Sequence, residues 1–553
     1  MIRLARTIPV ILAVAAVVGW PLVATVIEAT RPEIATGFES REIVPTSRSG
    51  EIVRPLGLAF QTARLVLATE VMALPIGIGL AVMLFRTDVW GRRGMLGVVG
   101  LAAFVPMPLV ATAWLGAFGN AGRSQALGLG PLLVGWSGAA FIHATAALPW
   151  IVAIVGVGLR AVEPDLEESA RLDLSPWGVV VRVTLRRSLG AIAAAALAVA
   201  ILTAGDMSVT DLLSVRTYAE ESYTQYQSGN APRAAAVALP PLVIFGGLIL
   251  IAARALLRVD PARVLSASAR SRDWRLGRWR GPVGLAVMAS AGSLVALPMF
   301  SLVWHAGRVV DRARPGAPTW SLSGLAGTLA STAGELFGPM LSRPMRSPLF
   351  SSVLLASVAA LATVALAWSL AWLARGPGPW RWVVALTVAL TLAVPGPVAG
   401  MALVLAYIDL PIVYDTPVRV VFAYMMRTLP YAVLVLWPAV RSLPRAYFEA
   451  ASLDGYGTWG QARRVAIPLT MPAIAAAWGV SFALALGELP AANLSAPAGV
   501  MLLSVRVWEL LHRGVESHLA GMALLMLALI ALAGSVAARG LGRLYGPDSG
   551  RLS

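Results

Sequence analysis

The stretch SLPRAYFEAASLDGYGTWGQARRVAIPLTMP, residues 442–472, has a partner earlier in the chain, AVEPDLEESARLDLSPWGVVVRVTLRRSLG at 161–190. Tyr447 to Asp454 aligns with Leu166 to Asp173 at an offset of 281 residues, and Trp459 and Val465 match Trp177 and Val183 at 282. Gly487-Glu488 answers Gly205-Asp206, again at 282. Upstream, Phe141 and Leu148-Pro149 recur as Phe422 and Leu429-Pro430 at 281, while Val105-Pro106-Met107-Pro108 recurs as Val394-Pro395-Gly396-Pro397 at 289. Landmarks kept in one order with a slowly drifting offset are the mark of a tandem duplication.

What surrounds these landmarks is apolar. The chain has 553 residues, of which 58% are hydrophobic and only 13% charged, with mean hydropathy +0.75. Soluble domains run at roughly 25% charged, so an ordinary cytosolic enzyme, a disordered chain and a nucleic-acid-binding domain are all excluded. Every one of the 44 basic residues is Arg. The absence of Lys excludes a Walker phosphate-binding loop on this chain. The absence of Cys excludes disulfides and thiolate metal sites. Runs of about 20 apolar residues suited to membrane helices lie near 8–27, 56–85, 95–117, 131–158, 189–205 and 234–257, then near 282–304, 349–373, 382–407, 418–440, 470–489 and 518–538. The expected fold is an all-α polytopic membrane protein of twelve transmembrane helices, in which an even number per copy makes the two six-helix repeats parallel. The organisation follows: a first repeat at 1–257, an Arg-rich joint at 258–281, a second repeat at 282–540 and a tail at 541–553. The run after Arg3 and Arg6 is longer than a signal-peptide core and reads as a retained first span.

Arg placement sets orientation. With both termini in the cytoplasm, Arg86, Arg92 and Arg93 fall inside, as do Arg160, Arg171, Arg182, Arg186 and Arg187, and the eight Arg between Arg254 and Arg280. The five Arg of 305–348 oppose this, in a loop long enough to weigh little.

The duplicated loop between the fourth and fifth spans of each copy is the most informative segment. Ser442 and Pro444 read as a helix start with Pro near the first turn; Ala446, Ala450 and Ala451 give small side chains, and Gly455 sits where a left-handed residue ends a helix. Two such helices on the inner face suggest a docking element, against the alternative of amphipathic helices lying on headgroups.

Glu449-Ala450-Ala451, three residues, Gly455, nine residues, then Val465-Ala466-Ile467-Pro468 resembles the EAA loop of binding-protein-dependent ABC importer permeases, written EAA-x3-G-x9-I-x-L-P. The resemblance implies a coupling helix seated on an ATP-binding subunit, formed here by Glu449, Ala450, Ala451, Asp454, Gly455, Ile467 and Pro468. Its first-copy counterpart is Glu168, Ser169, Ala170 and Asp173, with Leu174 in place of Gly455, Arg186 in place of Pro468, and a turn one residue shorter. It also implies the partners: two copies of the ATP-binding subunit, an extracytoplasmic solute-binding protein and the lipid bilayer of a bacterial inner membrane. The chain itself carries no ATPase site, cofactor or resident metal. Gly487-Glu488-Leu489-Pro490-Ala491-Ala492 resembles the ferric-iron branch most, with thiamine and 2-aminoethylphosphonate importers as alternatives.

Catalytic constellations are scarce. His512, Glu516 and His518 read as a solvated loop rather than an iron site. Tyr218, Glu220, Glu221, Tyr223 and Tyr226 form an aromatic-acidic stretch on the outer side, suited either to a binding protein or to the membrane interface. Three acids fall at membrane depth, where charge is costly and often functional. Glu70 lies inside span two, while Asp206 and Glu488 end spans five and eleven, either beside the pathway or hydrated at the interface. An ion-gradient-driven secondary transporter also explains the duplication, but not the paired loop helices.

Overall fold

The computed structural model describes residues 2–31, 55–119, 124, 128–256, 274–309, 319–340, 342–513 and 516–545. In the first half the helices are α1 (Thr7–Ala29), α2 (Pro55–Arg86), α3 (Arg92–Ala102), α4 (Met107–Phe118), α5 (Gly135–Arg160), α6 (Pro164–Ala170), α7 (Pro176–Arg187), α8 (Leu189–Gly205), α9 (Ser208–Leu212), α10 (Tyr218–Gln227) and α11 (Ala231–Leu256). In the second half they are α12 (Arg280–Ala306), α13 (Leu322–Phe337), α14 (Pro348–Leu373), α15 (Trp380–Ala393), α16 (Gly396–Tyr407), α17 (Val418–Arg441), α18 (Arg445–Leu453), α19 (Thr458–Leu469), α20 (Met471–Gly487), α21 (Pro490–Ser495), α22 (Leu503–Arg513) and α23 (Glu516–Tyr545). Two-residue strands, Arg308–Val309 and Thr319–Trp320, pair antiparallel between α12 and α13. Most of the joint, 257–273, and the tail from 546 lie outside the described residues.

Eight helices among the described residues are straight, long and apolar enough to cross a membrane; four bent pairs raise the count to twelve if each pair is one span. The bent pairs fall at matching places in the two halves. α3 and α4 meet at 106°, α15 and α16 at 107°; α7 and α8 meet at 64°, α19 and α20 at 72°. The runs expected near 95–117 and 382–407 are therefore not straight spans. The cause is local: Pro106 and Pro395 hold extended backbone (ψ 143° and 151°), each acting as N-cap of the helix that follows. Proline supplies no N–H to continue the preceding helix and disfavours helical geometry in the residue before it.

The loop helices differ as their sequences do. α18 starts at the expected place: Pro444 is its N-cap, with extended backbone, and Arg445 its first helical residue. Its end is a Schellman turn, with Tyr456 N–H donating to Ala451 O (2.9 Å) and Gly455 N–H to Ser452 O (3.0 Å), and Gly455 at φ 82°. α6 has Pro164 in its first turn and no left-handed residue at its end; Leu174 N–H donates back to Ala170 O at 2.9 Å. Both loops then enter helices with one π turn, Val180–Thr184 in α7 and Ala462–Ala466 in α19. An exposed ion pair, Arg187 to Glu163 at 2.9 Å, ties α7 to the turn before α6. A backbone hydrogen bond, then Arg187, holds the Glu163 carboxyl below its ordinary range against the opposing effect of burial.

Small residues let helices within each half approach. α2 lies along α5, and α14 along α17; the buried side of α20 carries Ala473, Ala476, Ala477, Gly479, Ala483 and Ala485. Apolar association has no water-driven component inside a bilayer, so close packing of small side chains supplies the attraction. The halves also exchange contacts. Trp20 Nε1 on α1 donates to Ala406 O on α16 (2.8 Å), and Tyr407 Oη on α16 donates to Ala16 O on α1 (2.6 Å). On the other side, His305 Nε2 of α12 lies 2.9 Å from Gly116 O on α4. The leading helix of each half thus pins the broken helix of the other. Gly487 is packed so tightly that a Cβ there would lie 2.6 Å from the Pro106 ring, whereas a Cβ on its counterpart Gly205 would lie 3.8 Å from Pro395.

Gly487→Ala is accordingly expected to destabilise the detergent-solubilised protein by about 1–3 kcal/mol, the usual cost of overpacking. Gly205→Ala is expected to be near neutral. Thermal unfolding of the two variants side by side checks this.

Candidate functional site

The breaks in α3–α4 and α15–α16, with the ends of α8 and α20, line a partly open cavity of ≈ 170 Å³. It lies at the far end of α8 from the α6–α7 loop, separated by seventeen residues of helix, or about 25 Å at 1.5 Å per residue. Phe104, Trp150, Phe245 and Tyr431 supply its aromatic wall; Asp206, Glu488, Arg427 and His143 supply its charged and titratable groups.

The two acids share one local geometry. Asp206 Oδ2 accepts from Val209 N–H (2.9 Å), and Glu488 Oε1 from Ala491 N–H (3.2 Å), so each caps the short helix that follows, α9 or α21. Their cation partners differ. Glu488 Oε2 accepts from Arg427 Nε at 3.1 Å, and Arg427 Nη1 donates to Val394 O at 2.8 Å, a carbonyl left without a helical partner by the Pro395 break. Asp206 Oδ2 instead faces His143 Nε2 at 3.3 Å, while His143 Nδ1 lies 2.8 Å from Ala139 O. At the 281-residue offset, Ala146 is the counterpart of Arg427 and Tyr424 that of His143. Trp150 and Tyr431 are counterparts of one another, and their rings touch across the boundary between the halves at 5.8 Å. The cavity is twofold in backbone and one-sided in charge.

Asp206 is 8% exposed and Glu488 11%, both facing the cavity. Glu70 lies apart, half-buried on α2 and outside the cavity lining. Arg427, His143, Trp150 and Tyr431 were not singled out by the sequence. The signal for Arg427 was available, since a guanidinium nine residues into an otherwise apolar span is a functional marker by default.

The α10 stretch packs mainly against α11 of its own half and also touches α16 of the second half. Tyr218 and Glu221 are buried, and Tyr223 Oη accepts from Asn493 Nδ2 of the second half at 3.0 Å. Burial pushes the Glu220 carboxyl up, with Glu221 and Asp211 adding to the shift. His512 Nε2 lies 3.0 Å from Asp211 Oδ2 of the first half. Among the described residues no cluster of His, Asp and Glu has metal-binding geometry.

The two repeated loops around α6 and α18 display the same exposed apolar pair. Leu172 is 86% exposed and its counterpart Leu453 90%; Trp177 is 66% exposed and Trp459 63%. Glu168, Ser169, Asp173, Glu449, Ala450, Asp454, Gly455 and Pro468 are exposed beside them, while Ala451 is buried and Ala170 and Ile467 are half-buried against the body.

Residues 73–264 and 363–549 each match the family described as the binding-protein-dependent transport system inner membrane component. The chain belongs to this family. The two matches place one family unit in each half, and the family is a membrane component of transport systems rather than an enzyme. Among similar proteins is the spermidine/putrescine transport system permease protein PotC of Escherichia coli (strain K12), 24% identical over 108 residues, which are 20% of this chain and 41% of that protein. The putrescine transport system permease protein PotI of the same strain is 25% identical over 151 residues, 26% of this chain and 54% of that protein. PotC of Haemophilus influenzae (strain ATCC 51907 / DSM 11121 / KW20 / Rd) is 23% identical over 107 residues, 19% of this chain and 42% of that protein. The chain therefore spans about half the length of the relatives it matches.

Removing Arg427 leaves Glu488 as an uncompensated charge in a confined cavity. Buried pairs broken on one side lose roughly 3–5 kcal/mol; with Arg427 23% exposed, Arg427→Met is expected to lose about 2 kcal/mol. Arg427→Met combined with Glu488→Gln should recover part of the loss. A double-mutant cycle on thermal unfolding measures it.

Proposed function

We propose that this chain is the membrane-spanning permease of an ATP-driven ABC importer. It is built as twelve spans in two parallel repeats, near 1–257 and 282–540, with both termini and both coupling loops in the cytoplasm. α6 and α18 each seat one ATP-binding subunit, and an extracytoplasmic solute-binding protein delivers cargo on the opposite side. The observation that carries this reading is the duplicated exposed pair, Leu172 with Trp177 and Leu453 with Trp459, which water-facing loops have no reason to keep. Glu168, Asp173, Glu449 and Asp454 give the charged rim; Ala451 and Ile467 hold the second helix against the body, and Gly455 sets its end.

The cargo that suits the cavity best is a small organic cation of polyamine type. Asp206, which faces only the His143 imidazole, and four aromatic rings around ≈ 170 Å³ offer ion pairing and cation–π attraction to an ammonium group. The relatives' names point the same way. Ferric iron, expected from Gly487-Glu488-Leu489-Pro490-Ala491-Ala492, has less support: Glu488 in that stretch caps α21 and holds Arg427, and Leu489, Ala491 and Ala492 are buried. Thiamine is a cation too and stands between the two.

Uptake of labelled putrescine, spermidine, thiamine and ferric iron by cells carrying the complete system decides the cargo. Polyamine uptake is expected, and Asp206→Asn should reduce it about tenfold or more, the value of a charge-assisted hydrogen bond, with the ATP-binding subunit still attached. Accumulation of iron alone would return the assignment to the iron branch. Separately, Leu453→Arg and Glu449→Arg should abolish co-purification of the ATP-binding subunit at matched membrane levels; normal attachment would overturn the docking role.

A further inference from the structure

We infer that the end of the joint, Trp274–Arg280, is a positioning strap that fixes the first coupling helix and links it to the first span of the second repeat. The inference rests on the coupling reading of α6 and α18. Trp274 N–H donates to Arg86 O at 2.7 Å and Asp88 N–H to Trp274 O at 3.1 Å, forming a parallel bridge between Thr87 and Trp274. Asp88 then secures the strap, its Oδ1 accepting from Leu276 N–H (2.8 Å) and its carbonyl from Arg280 Nε (2.7 Å). Arg280 is the first residue of α12, so the strap runs directly into the second repeat.

The strap reaches α6 by two routes. Directly, the Arg171 guanidinium at the C-cap of α6 lies over the Trp274 ring at 5.7 Å. Indirectly, Arg86, whose carbonyl holds the strap, extends its buried guanidinium to Glu167 of α6, and Glu167 accepts from Thr184 Oγ1 on α7 at 2.6 Å. Arg86 is 1% and Glu167 4% exposed, which makes this link costly to break on one side.

The second loop is built otherwise. The counterpart of Glu167 is Phe448, packed edge-on against Trp372 at 5.8 Å, and Arg375 sits on Trp372 at 3.5 Å. That clasp joins α18 to α14 of its own repeat. Among the described residues, the Thr87–Trp274 bridge is the one isolated backbone bridge, and no counterpart binds the turn after α14. Displacement of α6 is therefore passed to α12, while the Phe448–Trp372 contact carries displacement of α18 to α14. Trp274 and Asp88 are positioning residues for coupling.

The test uses the complete transporter in proteoliposomes, with Trp274→Ala, Trp274→Phe and Asp88→Ala. Expected for Trp274→Ala and Asp88→Ala is a several-fold rise in ATP hydrolysed per substrate moved, with the ATP-binding subunit still attached and Trp274→Phe near the parent value. A second readout exploits the absence of native Cys. Val180 and Ala462 are equivalent and buried, 2% and 0% exposed. Maleimide labelling of Val180→Cys should accelerate several-fold in the Trp274→Ala background, and that of Ala462→Cys should not. Unchanged coupling and labelling would overturn the strap, as would equal acceleration at both cysteines, which indicates general loosening. If Glu449→Arg leaves uptake intact, the coupling reading fails instead; if it abolishes uptake while Trp274→Ala changes nothing, only the strap fails.

Discussion

The architecture depends on two helix breaks, each completed by the opposite half. Pro106 and Pro395 turn their helices through more than a right angle, which frees backbone groups that a bilayer cannot satisfy. The freed Val394 carbonyl is taken by Arg427. The broken segments are clamped by α1 and α12, the leading helices of the opposite halves, and Gly487 meets Pro106 with no room for a methyl group. Neither half closes its own cavity wall, so the fold is completed only by the pair. The same breaks bring Asp206 and Glu488 to one cavity. Fold and site therefore share a single origin in two Val-Pro steps.

Much of this was legible beforehand because the duplication doubled the signal. The all-helical membrane architecture, the two halves and the left-handed Gly455 all followed from residues and spacing, and the family match falls on both halves. Hydropathy could not show the bends, since a window over 95–117 averages across Pro106 and sees one apolar run. Nor could it tell a hydrated acid at a helix end from one capping the next helix inside a cavity. Arg427 escaped notice because attention to repeated residues hides those that are not repeated. Substrate was the least legible property. The Glu488 stretch looked like a branch signature, yet its side chains serve local structure, and local structure recurs across branches with different cargo.

The asymmetries are specific rather than diffuse. Backbone landmarks, π turns and the exposed Leu–Trp pairs are retained in both halves, whereas the buried charges differ at nearly every matched position. Glu167 faces Phe448, His143 faces Tyr424 and Ala146 faces Arg427 at the 281-residue offset. Geometry has been kept where outside proteins are expected to read it, and chemistry has diverged inside.

That divergence depends on both halves residing in one polypeptide. Trp150 and Tyr431 touch across the pseudo-axis, and Arg427 lies one helical turn from Tyr431. A homodimer of second-half units would repeat every substitution, setting two guanidiniums and two Glu488 carboxylates around the same small space. It would also lose the His143–Asp206 pair altogether. A single polypeptide thus removes an obligation that symmetric assemblies carry, namely that each innovation in the cavity lining must be compatible with its own rotated copy. A mutation such as Ala to Arg near the axis, self-repelling in a homodimer, becomes admissible once it occurs only once per transporter.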